Sequence, residues 1–398
     1  MKNILLFCSA IFFLLILIWG LENFLRLPAN PATDDVHIFN MEVWSHDGRK
    51  ISGNGILKLL TDPFTGYKNF PDQKTKWFNI NSHGFRGKEI DKRQKNKRRI
   101  IVAGGSAAFG TGVKSDGETF QAMLQNSNDK YEVINAGIPG FLSGQELTYI
   151  VTELVDYQPD IIIAYDGFND LDSQWHHEFF FKKPKTLKEL GYNSNFYSFQ
   201  IENPLVENHK ANTHFLYGLK RSLKTLTNKS ALFTRLRNKY EVLKTPTISA
   251  EIQDNKDNDQ SENQYLESII NNYTNNLIKM NDFCRSRNIT FLVVLQPELG
   301  NKKVKSSRES FLIKSWAFGT SNYIEEFPPL YEKFLYERKN VLKKNNVPYL
   351  DINRFSEFTD NKETLFTDVV HTNAAGNKVI AEIIKRYLVK LENGKAFY

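Results

Sequence analysis

Cysteine is nearly absent from this 398-residue chain, which has two: Cys8 inside an apolar N-terminal run and Cys284 far downstream in a stretch of helical spacing. With a single cysteine beyond that run, an internal disulfide, a disulfide scaffold and a thiolate metal site are all excluded there. Cys8 lies too early, and in the wrong context, for a lipoprotein cleavage motif, and Cys284 reads as a buried helix residue. Excess charge of one sign is also scarce. Lys and Arg number 52 against 45 Asp and Glu, and the surplus is spread along the chain, densest from Lys92 to Arg99. A nucleic-acid role would need more. That basic knot reads as a solvated approach to a strand, with an anionic glycan or lipid headgroup as the alternative partner. Phosphate-loop signatures are missing: no Lys-Ser/Thr pair closes the glycine turn at 104–110, and the glycines there lack dinucleotide spacing. His176-His177 has no ligand partners at recognisable spacing, so a metal is not expected there.

What is present is the composition of a folded protein, 41% hydrophobic with 30 Phe and 17 Tyr. The length suits one sizeable α/β domain with additions. One uninterrupted apolar run stands out, Ile4 to Leu21, with Lys2 before it and Glu22 and Arg26 after it. It nearly matches the ~20 residues that cross a bilayer core as a helix, and it lacks the shorter apolar stretch and small-residue cleavage site of a signal peptide. We expect a single-pass membrane anchor at 1–26, a domain at 98–392 interrupted by an insertion at about 172–263, and between them a membrane-proximal segment at 27–97 packed on that domain. Lys2 ahead of the span places the domain outside the cytoplasm.

From residue 99 apolar strands alternate with helical stretches. Arg99 to Ala103, Tyr131 to Asn135, Ile161 to Tyr165, Thr290 to Leu295 and Val347 to Ile352 read as strands, the third so continuously apolar that it suits a central parallel strand covered on both faces. Helical spacing recurs at Glu118 to Leu124, Gln145 to Tyr157, Gln264 to Arg287, Leu330 to Lys344 and Ala374 to Leu391. In the second of these, Leu147, Ile150, Val151, Leu154 and Val155 are expected to share the buried face. The polar run 253–260 reads as a surface loop, and 298–327 as loop-like. Five strands alternating with helices predict a doubly wound parallel sheet with its site at the carboxyl ends of the strands.

Four short motifs fall at such ends or beside the last helix. Ser106 follows the first strand in a turn of small residues, Gly104-Gly105-Ser106-Ala107, that can project a side chain into a cleft. His371 precedes the terminal helix as a candidate base. Asp368, three residues earlier, can fix the imidazole tautomer and stabilise the imidazolium, or instead cap the helix while His371 packs. Negative charge on a tetrahedral intermediate needs donors, and Gly140 (backbone N–H) and Asn169 (side-chain amide) stand after the second and third strands, although turn formation alone accounts for either. Aromatic residues at 175–181 and at Trp316, Phe318 and Tyr323 suit a cleft wall or core packing equally.

Together these residues resemble the SGNH/GDSL hydrolases, a family named for blocks carrying Ser, Gly, Asn and His. Gly167-Phe168-Asn169-Asp170 is similar to the family's G-x-N-D block. The first block departs from Gly-Asp-Ser-Leu, with Gly105 for Asp and Ala107 for Leu, a form that looks like membrane-anchored bacterial relatives, which also carry a stretch like Asn81-Ser82-His83-Gly84-Phe85-Arg86-Gly87. The resemblance implies a flavodoxin-like five-stranded parallel sheet, a catalytic set of Ser106, Asp368 and His371, an oxyanion hole of Ser106, Gly140 and Asn169, and no cofactor. It further implies a serine esterase acting on an acylated glycan, lipid or small ester. An envelope polysaccharide O-acyltransferase and a non-catalytic assembly protein that retains the fold are the alternatives.

Overall fold

The computed structural model describes residues 41–53, 55–90, 93, 96–171, 256–316, 331–332, 336 and 338–392. The anchor expected at 1–26 and residues 172–255 of the expected insertion lie outside them, as do His176, His177, Phe318 and Tyr323. Among the described residues no helix is long and apolar enough to cross a membrane. The chain divides into two units, 37–204 with 260–398, and 1–36 with 205–259. Of the second unit only 256–259, the start of a helix, is described; the sheets and the site belong to the first.

The segment before residue 98 is more regular than its turn-rich sequence suggests. Strands β1 (Met41–Trp44), β2 (Lys50–Gly53), β3 (Leu57–Asp62) and β4 (Gly66–Asn69) form a sheet in the order β2-β1-β3-β4, followed by a two-stranded piece of β5 (Gln73–Lys74) and β6 (Asn79–Ile80). Five of these six strands have four residues or fewer, and β3, with six, breaks its alternation at Leu59-Leu60, so no clear period-two pattern emerges between turns. Tyr67 from β4 is buried edge-on against Phe141, 5.5 Å between ring centroids. Its hydroxyl donates to the Pro139 carbonyl at 3.0 Å. This small sheet therefore braces the loop that carries Gly140.

The main sheet comprises β7 (Arg98–Gly104), β8 (Tyr131–Asn135), β9 (Ile161–Asp166), β10 (Thr290–Leu295) and β11 (Tyr349–Asp351), ordered β11-β10-β9-β7-β8 with every neighbouring pair parallel. Counted from β7, that is 2-1-3-4-5, the flavodoxin-like doubly wound order. Ile100 to Ala103, Ile161 to Ala164 and Leu292 to Leu295 are all without solvent exposure, which is why these strands read as unbroken apolar runs. The strand order reverses between β7 and β9, and their carboxyl ends carry Ser106 and Asn169. A crevice at that reversal is where this fold class binds ligands.

Helices α1 (Ser106–Phe109), α2 (Phe120–Asn126), α3 (Ser143–Thr152), α4 (Lys256–Ser286), α5 (Ser307–Trp316) and α6 (Ala374–Glu392) accompany the sheet. Three expectations need correction. The polar run at 253–260 is helical from Lys256, because a helix with an apolar stripe further along can extend through polar residues. Within 298–327, expected to be loop, lies α5, whose amphipathic turn buries Leu312 and Ile313. Of the face expected for α3 and the turn after it, Ile150 and Leu154 are buried and Leu147 and Val155 pack partly buried on the core, but Val151 is 40% exposed and Glu146 and Tyr149 are buried beside them. A hydropathy pattern sends a glutamate outward, and only the buried carboxyl cluster around Glu146 reverses that. Cys284 is fully buried in α4, and burial pushes its thiol up to about 12.

Candidate active site

Ser106 opens α1 directly after β7, and its hydroxyl oxygen lies 2.7 Å from His371 Nε2. His371 Nδ1 lies 2.6 Å from Asp368 Oδ2. The other carboxylate oxygen, Oδ1, accepts the backbone N–H of Val370 at 2.9 Å and of His371 at 2.7 Å. This local wrap makes the D-x-x-H spacing work, since the carboxylate that receives the ring nitrogen also pins the backbone carrying the ring. The loop is closed by Thr367 N–H donating to the His371 carbonyl at 2.8 Å. Asp368 is 3% exposed. Burial alone would raise its carboxyl, but the charge and ring N–H of His371, with the two backbone donors, outweigh it and hold the group below the ordinary carboxylate value. With Nδ1–H directed at Asp368, Nε2 is left to accept the Ser106 proton.

Asp368 does not cap α6. Asn373 does, its side-chain oxygen accepting the Gly376 N–H at 3.0 Å, as an N-cap amide should. The nucleophile turn and the histidine loop also touch at Gly112, where any Cβ would fall under 3.0 Å from the Thr372 carbonyl and from Thr367 Oγ1. Nothing in the sequence around Gly112 signals that contact.

Asn169 lies in the helical turn after β9, with its amide nitrogen 2.9 Å from the Phe141 carbonyl. One amide hydrogen is thereby committed and the second remains available as a donor. Gly140 sits in the preceding loop with φ +83, a conformation that a side chain disfavours. Among the described residues the backbone N–H groups of Ser106 and Gly140 have no acceptor. Gly105 needs a different explanation, since its φ of −82 suits any residue. What it supplies is room: a Cβ there would fall under 3.0 Å from the Asn169 amide nitrogen. The Gly105 departure from the first block thus has a spatial counterpart in the third.

The residue after Asn169 is tied to the same loop. Asp170 accepts the Ser143 hydroxyl at 2.6 Å and the Ser143 N–H at 3.0 Å, so Asn169 and Asp170 together clamp 141–143 at the start of α3. Behind them three carboxyl groups are buried together. Burial, reinforced by the charge of Asp166, pushes Asp170 up to about 7. Burial likewise raises Glu146 well above its ordinary value and raises Asp166, which accepts from the Tyr273 hydroxyl. Glu146, at 0% exposure on α3, is thereby biased toward its neutral form, the one that burial tolerates. The guanidinium of the buried Arg338, 4.8 Å from the Tyr273 ring centroid, supplies compensating positive charge. Among the described residues there is no group of three or more His, Cys, Asp or Glu able to hold a metal ion.

A serine, histidine and aspartate in one hydrogen-bonded chain, at the point where a doubly wound sheet reverses its order, define a serine hydrolase. The GDSL-like Lipase/Acylhydrolase family profile matches residues 188–384, a span that includes Asp368 and His371. That match identifies a GDSL-like lipase/acylhydrolase domain in the chain. No curated protein matches the sequence. Among solved structures the chain is similar to an acetyl xylan esterase, at 13% identity and TM-score 0.39 over 72% of this chain and 97% of that one. It is also similar to the psychrotrophic esterase EstA from Pseudoalteromonas sp., at 13% identity and TM-score 0.38 over 75% and 100%. A two-domain esterase active on acetylated mannans matches at 11% identity and TM-score 0.37, over 76% of this chain and 51% of that one.

Proposed function

We propose that this protein is an esterase that works through an acyl-enzyme on Ser106. The observation that carries the reading is the unbroken chain from Ser106 Oγ through both nitrogens of His371 to Asp368, with contacts of 2.7 and 2.6 Å. In the reaction Ser106 Oγ attacks the ester carbonyl carbon while His371 Nε2 takes its proton and Asp368 stabilises the imidazolium. The oxyanion so formed accepts hydrogen bonds from the Ser106 and Gly140 N–H groups and from the Asn169 amide, each worth roughly 3–4 kcal/mol in a preorganised site. The ester C–O bond then breaks, and His371 returns the proton to the departing alkoxide. Water then attacks the acyl-enzyme carbonyl and gives a proton to His371; the bond to Ser106 Oγ breaks, His371 returns that proton to Ser106 Oγ, and the acid is released.

The substrate class we propose is an acyl ester on a glycan or lipid outside the cytoplasm, with residues 4–21 anchoring the chain in the membrane. The apolar run and the mild basic excess support this part of the reading. The full-length chain, purified in detergent, is expected to react with a fluorophosphonate probe at Ser106. Absence of label on the wild type, or equal label on Ser106→Ala, refutes the acyl-enzyme. Esters of graded acyl length on glycan and lipid acceptors then assign the substrate. Transfer of acyl groups to an added glycan in place of release as free acid would make the protein an acyltransferase.

A further inference from the structure

The stretch Asn81 to Gly87 has a shape of its own. Asn81 closes it: its side-chain oxygen accepts the N–H groups of His83 and Phe85, both at 3.0 Å, and its own N–H donates to the Phe85 carbonyl at 2.8 Å. Phe85 is buried as an anchor. The Arg86 N–H donates to the Asn135 carbonyl at the end of β8, 3.1 Å away, so the loop is annexed to the edge of the main sheet. The Arg86 side chain then runs inward, 1% exposed.

Its guanidinium is used almost completely. Nε donates to Asp116 Oδ1 at 2.8 Å, Nη2 to the Trp77 carbonyl at 3.1 Å, and Nη1 to two successive carbonyls, Phe109 at 3.0 Å and Gly110 at 2.7 Å. The Phe109 ring lies 4.9 Å from the guanidinium carbon. Phe109 and Gly110 end the turn that Ser106 begins, and the N–H groups of Gly110 and Thr111 fold back on the Ser106 carbonyl at 3.0 and 3.1 Å. A four-residue helix has no stability of its own, and its terminal carbonyls lack helical partners. A buried cation across that end supplies both the hydrogen bonds and the sign that the helix dipole favours.

We infer that Arg86 is a positioning residue for the nucleophile: its fork across the Phe109 and Gly110 carbonyls sets where the Ser106 hydroxyl and N–H stand relative to His371. The inference rests on the proposed role of Ser106. It assigns the Asn81 to Gly87 stretch the task of delivering an arginine beneath the active-site turn from outside the main sheet. Lysine cannot substitute, because one ammonium nitrogen cannot reproduce a planar fork that holds two backbone carbonyls, one further carbonyl and a carboxylate.

The test compares wild type with Arg86→Lys and Asp116→Asn in the full-length chain, following the rate of fluorophosphonate labelling per folded molecule, kcat and KM on a short-chain ester, and the thermal midpoint. A displaced nucleophile costs up to about 10²-fold in rate. Arg86→Lys is therefore expected to label and turn over about 10- to 100-fold more slowly, with KM unchanged. Asp116→Asn, which leaves the fork in place but loosens its Nε end, is expected to show a smaller loss in the same rates. In Arg86→Ala, added guanidinium ion is expected to restore part of the labelling rate. Wild-type labelling rates in folded Arg86→Lys, or in Asp116→Asn should the lysine variant fail to fold, overturn the inference even if the midpoint falls. A wild type that does not label overturns the Ser106 reading, and this inference with it.

Discussion

Placing a methyl group at Gly105 should disable the site while leaving the fold nearly intact. A Cβ there would lie under 3.0 Å from the Asn169 amide nitrogen, while its next neighbours, Asn169 Cγ and the Phe141 carbonyl, would both sit at an ordinary 3.4 Å. Non-bonded atoms settle at about 3.5 Å, so the amide must retreat by roughly 1 Å and give up the Phe141 carbonyl that orients it. Losing one oxyanion donor costs about 10²–10³-fold in kcat, close to 3–4 kcal/mol of barrier. Stability should suffer far less, about 1 kcal/mol for the lost hydrogen bond. Gly105→Ala is thus expected to lose about 10²-fold or more in kcat on a short-chain ester with a thermal midpoint only a few degrees lower. A double-mutant cycle makes the reasoning specific. Asn169→Ala removes both the donor and the obstacle, so Gly105→Ala combined with Asn169→Ala should be no slower than Asn169→Ala alone. Losses that multiply, or a fully active Gly105→Ala, refute the steric argument. Gly105→Asp carries the same Cβ and should also lose activity, although it would restore the spelling of the first block.

Asp368→Asn should keep the fold and lower kcat by about 10³–10⁴-fold, because an amide turned to meet one ring nitrogen cannot hold the productive tautomer; a loss under about tenfold in steady-state kinetics would refute that role. Lys302 and Glu309 form an ion pair at 2.5 Å with both side chains fully buried, and Glu309 also holds the Leu365 N–H at the approach to Asp368. Lys302→Met leaves that carboxylate unpaired, at a cost of about 3–5 kcal/mol, and should lower the midpoint by roughly 10 °C in a thermal melt; an unchanged midpoint contradicts it. Asp170, pushed up to about 7 from an unfolded value near 3.9, binds its proton more tightly in the native state. Its contribution to stability is therefore complete below about pH 4, declines as pH rises, and is lost above about pH 7. Thermal midpoints should fall across that window in the wild type and fall less in Asp170→Asn, whereas parallel curves for the two proteins would exclude Asp170 as the source.

Some of this was legible along the chain. Strands β7, β9 and β10 announced themselves because a parallel strand covered on both faces must be apolar at every position, a demand met within six or seven neighbouring residues. The terminal helix and the Asp368–His371 pair were equally local, the pair being three residues apart with its own backbone completing the turn. The segment before residue 98 was not legible, because five of its six strands have four residues or fewer and the sixth, β3, breaks its alternation at Leu59-Leu60.

What required the tertiary structure is contact between distant parts. Ser106 and His371 are 265 positions apart, and no local signal states that one ring nitrogen reaches the other's hydroxyl; the 2-1-3-4-5 strand order brings them together. Glu146 reads as a solvent-facing glutamate until the fold buries it beside Asp166. Arg86 reads as a surface cation until the end of β8 captures its backbone and turns the guanidinium under Phe109 and Gly110. Gly105 reads as a flexible turn residue until Asn169 occupies the space a Cβ would need. The residue types by themselves determined which chemistry was available, because a hydroxyl, an imidazole and a carboxylate carry their reactivity with them. Whether they form one site depended on distances of a few ångströms, which packing sets and composition does not.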